Sequence, residues 1–281
     1  MGKISYSSAG FVDRDIEAAL DAIAAAGFDR AEVLGQEPHV DAPLGGKDLQ
    51  EFRNRMEGRG LLPGTVHAPL TRNVLAAPEE DWRRERVVVL GTYIRFAAEL
   101  GCSGIVIHPV PNPQFVSQPE GDELTQTMRA AARRSLDDLV PVAEEVGIRM
   151  LLENLPYKCT YPFLNMTELR SLVDPYPDAA LGLVIDTGHA WTGGHDPAAE
   201  ILAAGERLWG THLQDVDYDD PNDNHWMPTE GGLDWAAIRS ALGEVGYTGH
   251  WTYEVIKPRH DETPEILAKA TRETVDGWGP E

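Results

Sequence analysis

The stretch Ala143-Glu144-Glu145-Val146-Gly147-Ile148-Arg149-Met150-Leu151-Leu152-Glu153-Asn154 decides how the rest of the chain is read. A helical pattern closes on Gly147, a residue suited to the left-handed conformation that ends helices. A short apolar run, 149–153, follows at once and stops on a carboxylate. It is too short for a helix and too continuously apolar for a strand with one wet face, so it reads as a buried strand of a parallel sheet. The same order recurs at Ala26-Gly27-Phe28, Leu100-Gly101-Cys102 and Val245-Gly246-Tyr247, where Gly again stands between a helical pattern and an apolar run.

Working outward, strands are expected at 4–7, 31–34, 65–67, 104–108, 149–153, 181–186, 208–213 and 251–255. Helical patterns fall between them, among others at 13–26, 49–59, 83–100, 123–146 and 235–245. Asp13, Thr167 and Asp234 are the expected N-caps. Strand and helix alternating eight times within about 250 residues is the pattern of a (β/α)8, or TIM, barrel. A doubly wound sheet alternates in the same way, but no Gly-x-Gly-x-x-Gly follows any strand. The Pro- and Gly-rich segments 109–118 and 219–232 read as long loops after strands, not linkers. The expectation is one α/β barrel domain over residues 1–281.

Composition narrows the function. The chain has 24 Lys+Arg against 46 Asp+Glu, a formal charge of −22, with 42% hydrophobic and 25% charged residues. That is a globular composition, and its charge opposes a phosphate backbone, so no nucleic-acid partner is expected. Two cysteines, Cys102 and Cys159, are too few for a disulfide framework or a thiolate zinc site. No apolar run approaches the roughly 18 residues of a membrane span, and no signal-like segment opens the sequence. A cytoplasmic protein without a membrane partner is expected.

The strand ends carry the chemistry: His67, His108, Glu153-Asn154, Asp186-Thr187-Gly188-His189, His212 and Glu254, with Asp223-Asn224-His225 in the loop after the seventh strand. In a barrel the C-terminal strand ends surround one mouth, so these residues converge. One His or Glu at a strand end is commonly structural. Six consecutive strand ends bearing His, Asp or Glu are harder to explain by packing, because buried carboxylates are costly unless paired or metal-bound. Carboxylates and imidazoles without thiolates suit one divalent ion: Mn²⁺, Mg²⁺, Co²⁺ or Zn²⁺.

These motifs, with Thr211-His212-Leu213-Gln214-Asp215 and Glu230-Gly231-Gly232-Leu233-Asp234-Trp235, resemble the xylose-isomerase-like barrels over nearly the whole chain. That group includes sugar-phosphate isomerases and epimerases, ketose 3-epimerases, hydroxypyruvate- and inosose-processing enzymes, and apurinic-site endonucleases. The resemblance implies Glu153, Asp186, His212 and Glu254 as ligands of one metal, and His189 as a substrate contact. Three positions depart from the epimerase pattern: Thr229 stands where the first Gly of a Gly-Glu-Gly is usual, Tyr218 where an Arg is usual, and Cys159 where a second Glu is usual. The endonuclease branch implies instead a trinuclear zinc cluster on His67, His108, Glu153, Asp186, His189, His212, Asp223, His225 and Glu254. Against it stands the loop 215–223, with Asp215, Asp217, Asp219, Asp220 and Asp223 and no Lys or Arg.

The expected function is therefore a metal-dependent isomerase or epimerase of a sugar or polyol-derived keto sugar. Glu153 and Glu254 would be the acid/base pair, moving a proton through an enediolate. His189, His225, His108, His67 and Trp226 are the expected substrate contacts, and Tyr157 and Trp191 are further aromatic residues in the mouth loops. A lyase or dehydratase on a related hydroxy-carbonyl or glycoside substrate starts with the same proton abstraction and stands as the alternative. An apurinic-site endonuclease and a non-catalytic sugar-binding protein are further readings. Gly231-Gly232 with Lys257 and Arg259 would suit a phosphate, but a plain turn with solvated cations is the simpler reading. A neutral carbohydrate is thus the expected partner, with a homo-oligomer left open.

Overall fold

Eight parallel strands pair in chain order, and the last returns to the first to close a barrel. The computed structural model describes residues 4–70, 72–117 and 120–278. The strands are β1 (Ile4–Ser7), β2 (Arg30–Leu34), β3 (Leu62–His67), β4 (Gly104–Ile107), β5 (Arg149–Glu153), β6 (Leu181–Asp186), β7 (Leu208–Leu213) and β8 (Trp251–Tyr253). Around them lie α1 (Ile16–Ala26), α2 (Gly46–Gly58), α3 (Glu80–Leu100), α4 (Asp122–Val146), α5 (Met166–Val173), α6 (Thr187–Thr192), α7 (Pro197–Ala204), α8 (Trp235–Glu244) and α9 (Pro264–Thr274). The single (β/α)8 barrel expected from the sequence is the observed fold.

Local signals placed most boundaries. Gly27, Gly101 and Gly147 take the left-handed conformation, with φ of 91°, 92° and 72°. Asp234 caps α8 by accepting from the Ala237 amide at 3.0 Å. Two caps differ from expectation. Asp15, not Asp13, starts α1 by accepting from Ala18 N at 2.8 Å, because a 3-10 turn at Ser8–Phe11 carries the chain past residue 13 before the helix begins. Asn165, not Thr167, starts α5 by accepting from Glu168 N at 3.0 Å. The strand β4 stops one residue short of His108, and β8 two short of Val255.

Side chains alternate across each strand, which sorts the barrel into two environments. Ile105, Ile107, Met150, Leu152, Leu183 and Ile185 face outward and join the large core with helix residues such as Leu90, Ile94, Leu136 and Leu169. Val106, Leu151 and Val184 form a separate small cluster inside the barrel. Gly210 lets these side chains meet, since a Cβ there would lie 2.6 Å from Val184 Cγ2. Two residues further along the same strands come His108, Glu153, Asp186 and His212. The apolar plug therefore forms the floor beneath a polar layer. Each buried Val, Leu or Ile contributes roughly 1.5–3 kcal/mol. That core stability lets the fold hold a layer of polar groups that would be costly elsewhere.

Candidate metal centre

Glu153, at the end of β5, lies in the middle of the polar layer and is 1% exposed. Its Oε1 lies 2.9 Å from His212 Nδ1 and 3.4 Å from His189 Nδ1. Its Oε2 lies 3.4 Å from His67 Nε2 and 3.3 Å from His108 Nε2. Glu254 Oε2 is 3.3 Å from His212 Nδ1, so both glutamates approach the same ring nitrogen. Asp186, entirely buried, has Oδ1 bonded to His189 N at 2.6 Å and to Gln214 Nε2 at 3.0 Å. One ligand atom each from Glu153, Asp186, His212 and Glu254 lies within 4.8 Å of the others. Three further sets meet the same limit: His67, His108 and Glu153 on one side, His189, Asp223 and His225 on the other, and His67 with His212 and Glu254, which overlaps the first set. The barrel thus gathers all nine expected donor residues.

The fit to a cation follows from where the ring protons go. His67 Nδ1 lies 2.8 Å from Ala68 O, His189 Nδ1 2.9 Å from Asn154 O, and His225 Nδ1 3.0 Å from Glu254 O. A carbonyl oxygen only accepts, so each Nδ1 carries a proton, and Nε2 is the nitrogen that can present a lone pair to a cation once any second proton has left. His212 is reversed: its Nε2 lies 3.0 Å from Glu32 Oε2, leaving Nδ1 toward Glu153 and Glu254. Imidazole lone pairs and carboxylate oxygens then converge with little between them. Asp186 Oδ2 is buried and makes no hydrogen bond, and Glu153 Oε2 and Asp223 Oδ1 face only ring nitrogens. Such a nest of acceptors is stable only with protons or a cation inside it, and an outer partner fixing each imidazole is the usual arrangement around a protein metal.

Electrostatics without a metal show the same tension. Burial opposes the charged form of His212, but Glu32, Glu254 and Glu153 outweigh it and lift the imidazole well above its ordinary value. Burial likewise opposes ionised Glu153, yet His212, His108 and His67 hold its carboxyl well below the usual range. Burial raises the Asp186 and Glu254 carboxyls. His108 is lowered by burial, while Asp223 and Glu254 overcome burial to push His225 up to about 9.

The loop after β7 is organised by Asp215. Its Oδ1 accepts from Val216 N, Gly232 N and Leu233 N at 2.9, 3.1 and 3.2 Å, and its Oδ2 from Thr229 N and Trp235 Nε1 at 3.0 and 2.9 Å. A Cβ at Gly231 would collide with this carboxylate and with the Val216 carbonyl, so only glycine permits the approach. Asp215 is therefore an internal post, not a surface charge. Asp217 caps the amides of Asp219 and Asp220, and Asp223 Oδ1 faces His189 and His225 at 3.2 and 2.9 Å. Lys257 Nζ donates to Asp223 O at 2.6 Å and Lys158 Nζ to Pro221 O at 3.3 Å. Asp215, Asp217 and Asp223 thus have partners within the site or the loop, whereas Asp219 and Asp220 are exposed, and the two lysines steady the loop through its backbone carbonyls. Gly232 N and Leu233 N are committed to Asp215, so those two amides do not face a phosphate.

A cavity of about 370 Å³ opens onto this layer, within the roughly 300–1,000 Å³ of small-molecule sites. His108, His189 and Asp223 form its floor; Tyr157, Phe115 and Gln36 stand among its walls. His67 and His225, 2% and 5% exposed, lie deeper and are not part of that lining. Trp226 is also outside it, its ring lying 4.9 Å under the Arg259 guanidinium. Trp191 stacks on Tyr218 at 4.6 Å, and Cys159 lines grooves beside the mouth. Sequence reasoning passed over Glu32, a fully buried carboxylate in the middle of β2. The available signal was a charge inside the otherwise apolar run Ala31-Glu32-Val33-Leu34.

A family model described as "Xylose isomerase-like TIM barrel" matches residues 20–276. The chain belongs to that family. An uncharacterised protein of Methanocaldococcus jannaschii is 27% identical over 247 residues, covering 88% of this chain and 81% of that protein. Fructoselysine 3-epimerase of Shigella flexneri is 24% identical over 262 residues, covering 91% and 90%. Probable endonuclease 4 of Thermoplasma acidophilum is 22% identical over 207 residues, covering 70% and 68%. Among solved structures, a D-tagatose 3-epimerase-like protein superposes with a TM-score of 0.79 at 23% identity, covering 98% of both chains.

Proposed function

We propose that this member of the xylose-isomerase-like family is a divalent-metal-dependent isomerase or epimerase of a neutral sugar or keto sugar. The observation that carries this reading is the meeting of Glu153 and Glu254 on one ring nitrogen of His212, within reach of Asp186. These four residues would hold the ion, one of Mn²⁺, Mg²⁺, Co²⁺ or Zn²⁺, and the fructoselysine 3-epimerase relative agrees with a sugar substrate. A bound divalent ion would polarise the substrate carbonyl and offset the negative charge of an enediolate. Glu153 and Glu254 supply two carboxylates to take the proton beside that carbonyl and return it. His189 and His108 face the cavity, where they can bond substrate hydroxyls; His67 and His225 hold the layer behind them. We also read the protein as cytoplasmic: both cysteines are free thiols, and among the described residues no helix is long and apolar enough to cross a membrane.

The test is turnover of a keto-sugar panel in heavy water. Wild type should place deuterium on the carbon next to the carbonyl, and Glu153→Gln or Glu254→Gln should suppress this by about 10²–10⁴-fold or more. Metal content is measured alongside, since both residues are proposed ligands. An altered stereocentre or a moved carbonyl supports epimerase or isomerase, and an eliminated product supports the lyase alternative. Turnover by metal-loaded wild type with no solvent exchange removes the main support for the carboxylate pair.

The two flanking donor sets favour a second reading, a multinuclear hydrolase. It gains weight because Asp215 is buried and Lys158 and Lys257 flank the mouth loop. Metal analysis with anomalous scattering separates the two: one ion per chain fits the isomerase, and three ions with His67 and His108 as ligands fit the hydrolase.

A further inference from the structure

We propose that Glu32 is a positioning residue of the metal centre: it accepts the Nε2 proton of His212 and thereby turns the Nδ1 lone pair toward Glu153 and Glu254. This rests on the metal reading above and adds a residue to it. Glu32 is fully buried within β2, and β2 and β7 are not neighbours in the sheet, so its bond to His212 spans the barrel interior. The same Oε2 that faces His212 Nε2 at 3.0 Å also accepts from Thr65 Oγ1 at 2.7 Å. Two donors on one oxygen define that atom as an acceptor and set the His212 tautomer. Thr65 holds Glu32, Glu32 holds His212, and His212 faces the ion site.

Among the imidazoles whose outer anchors are described above, His212 differs in kind. His67, His189 and His225 lean on neutral backbone carbonyls, whereas His212 leans on a carboxylate. A carbonyl orients the ring; a carboxylate also makes the opposite nitrogen a stronger donor. The stronger donor belongs to the one set that already holds three carboxylates. Glu32 lies on the far side of the His212 ring from Glu153 and Glu254 and is absent from the lining of the mouth cavity. It therefore acts through His212, not on substrate.

The experiment is Co²⁺ and Zn²⁺ titration of wild type, Glu32→Gln and Thr65→Val, with competing chelator, alongside the ¹⁵N-resolved ring signals of His212 in the Zn²⁺-loaded protein. Gln at position 32 has two orientations, and both are poor. With its oxygen toward His212, the NH₂ takes the place of Oε1, which has no hydrogen-bond partner. With its NH₂ toward His212, the proton is forced onto Nδ1, where the ion should bind. Glu32→Gln should weaken Co²⁺ and Zn²⁺ binding by about 10–100-fold. It should also shift the His212 Nε2 proton upfield from its position against a carboxylate. Thr65→Val, which leaves the Glu32–His212 pair in place, should weaken binding several-fold with a smaller shift, and it serves if Glu32→Gln does not fold. A folded Glu32→Gln with wild-type affinity and an unmoved Nε2 signal overturns the proposal, as does Thr65→Val with no change in either. A wild type that binds neither metal overturns the metal reading first and this proposal with it, so the two failures are distinct.

Discussion

Replacing Asp215 by Asn keeps the shape of the loop post but removes its charge and half its accepting capacity. Five donors now converge on the carboxylate, three on Oδ1 and two on Oδ2. If the amide oxygen takes the Oδ1 place, the NH₂ faces the Thr229 N–H and the Trp235 Nε1–H, and two bonds become donor–donor contacts. In the opposite orientation three are lost. Bonds to a charged acceptor are worth about 1.5–3 kcal/mol each, so the smaller loss costs roughly 3–6 kcal/mol. At roughly 2–4 °C per kcal/mol for a chain approaching this size, metal-free Asp215→Asn should melt roughly 6–24 °C below wild type. Thermal unfolding by circular dichroism measures this, and amide exchange at Thr229, Gly232 and Leu233 reports whether the loop opens ahead of the barrel. Asp223 and His225 ride on the same loop, so its release should also remove their contacts with His189. A variant melting within about 2 °C of wild type, with those amides still protected, would refute the view of Asp215 as an internal post.

Other outcomes follow from the same geometry. His225→Ala should keep its metal and lose about 10–100-fold in activity, since His225 Nδ1 is anchored on the Glu254 carbonyl and its Nε2 faces Asp223; loss of all metal would make it a primary ligand. For the metal-free protein, His225 is raised from 6.5 to about 9, so its share of stability is present below pH 6.5 and lost as pH climbs toward 9. That share is of the order of 3 kcal/mol, and urea unfolding across this range measures it. Metal affinity should run the other way, strengthening as pH rises because the imidazoles must shed protons to bind, and calorimetry in two buffers should detect proton release.

The family resemblance and the barrel were legible in the sequence because their causes are local. Gly147 ends a helix through its own backbone freedom, and 149–153 reads as a buried strand from its own composition. The donors at strand ends were legible for a related reason: closing the barrel brings every C-terminal strand end to one mouth, so Glu153, Asp186, His212 and Glu254 had to converge. The tertiary structure alone decided how the donors divide into four overlapping sets, with Glu153, His67, His212 and Glu254 each shared between two of them. It alone showed Glu32, whose partner lies 180 residues away across the barrel. It also changed the meaning of Asp215, which in a charge count is one more acid in an acidic loop. Burial turns that charge inward, and four loop amides and the Trp235 indole satisfy it. Periodicity and caps depend on neighbours in the chain and can be read from it. Burial, hydrogen-bond partnership and the direction of a charge depend on residues that only folding brings together.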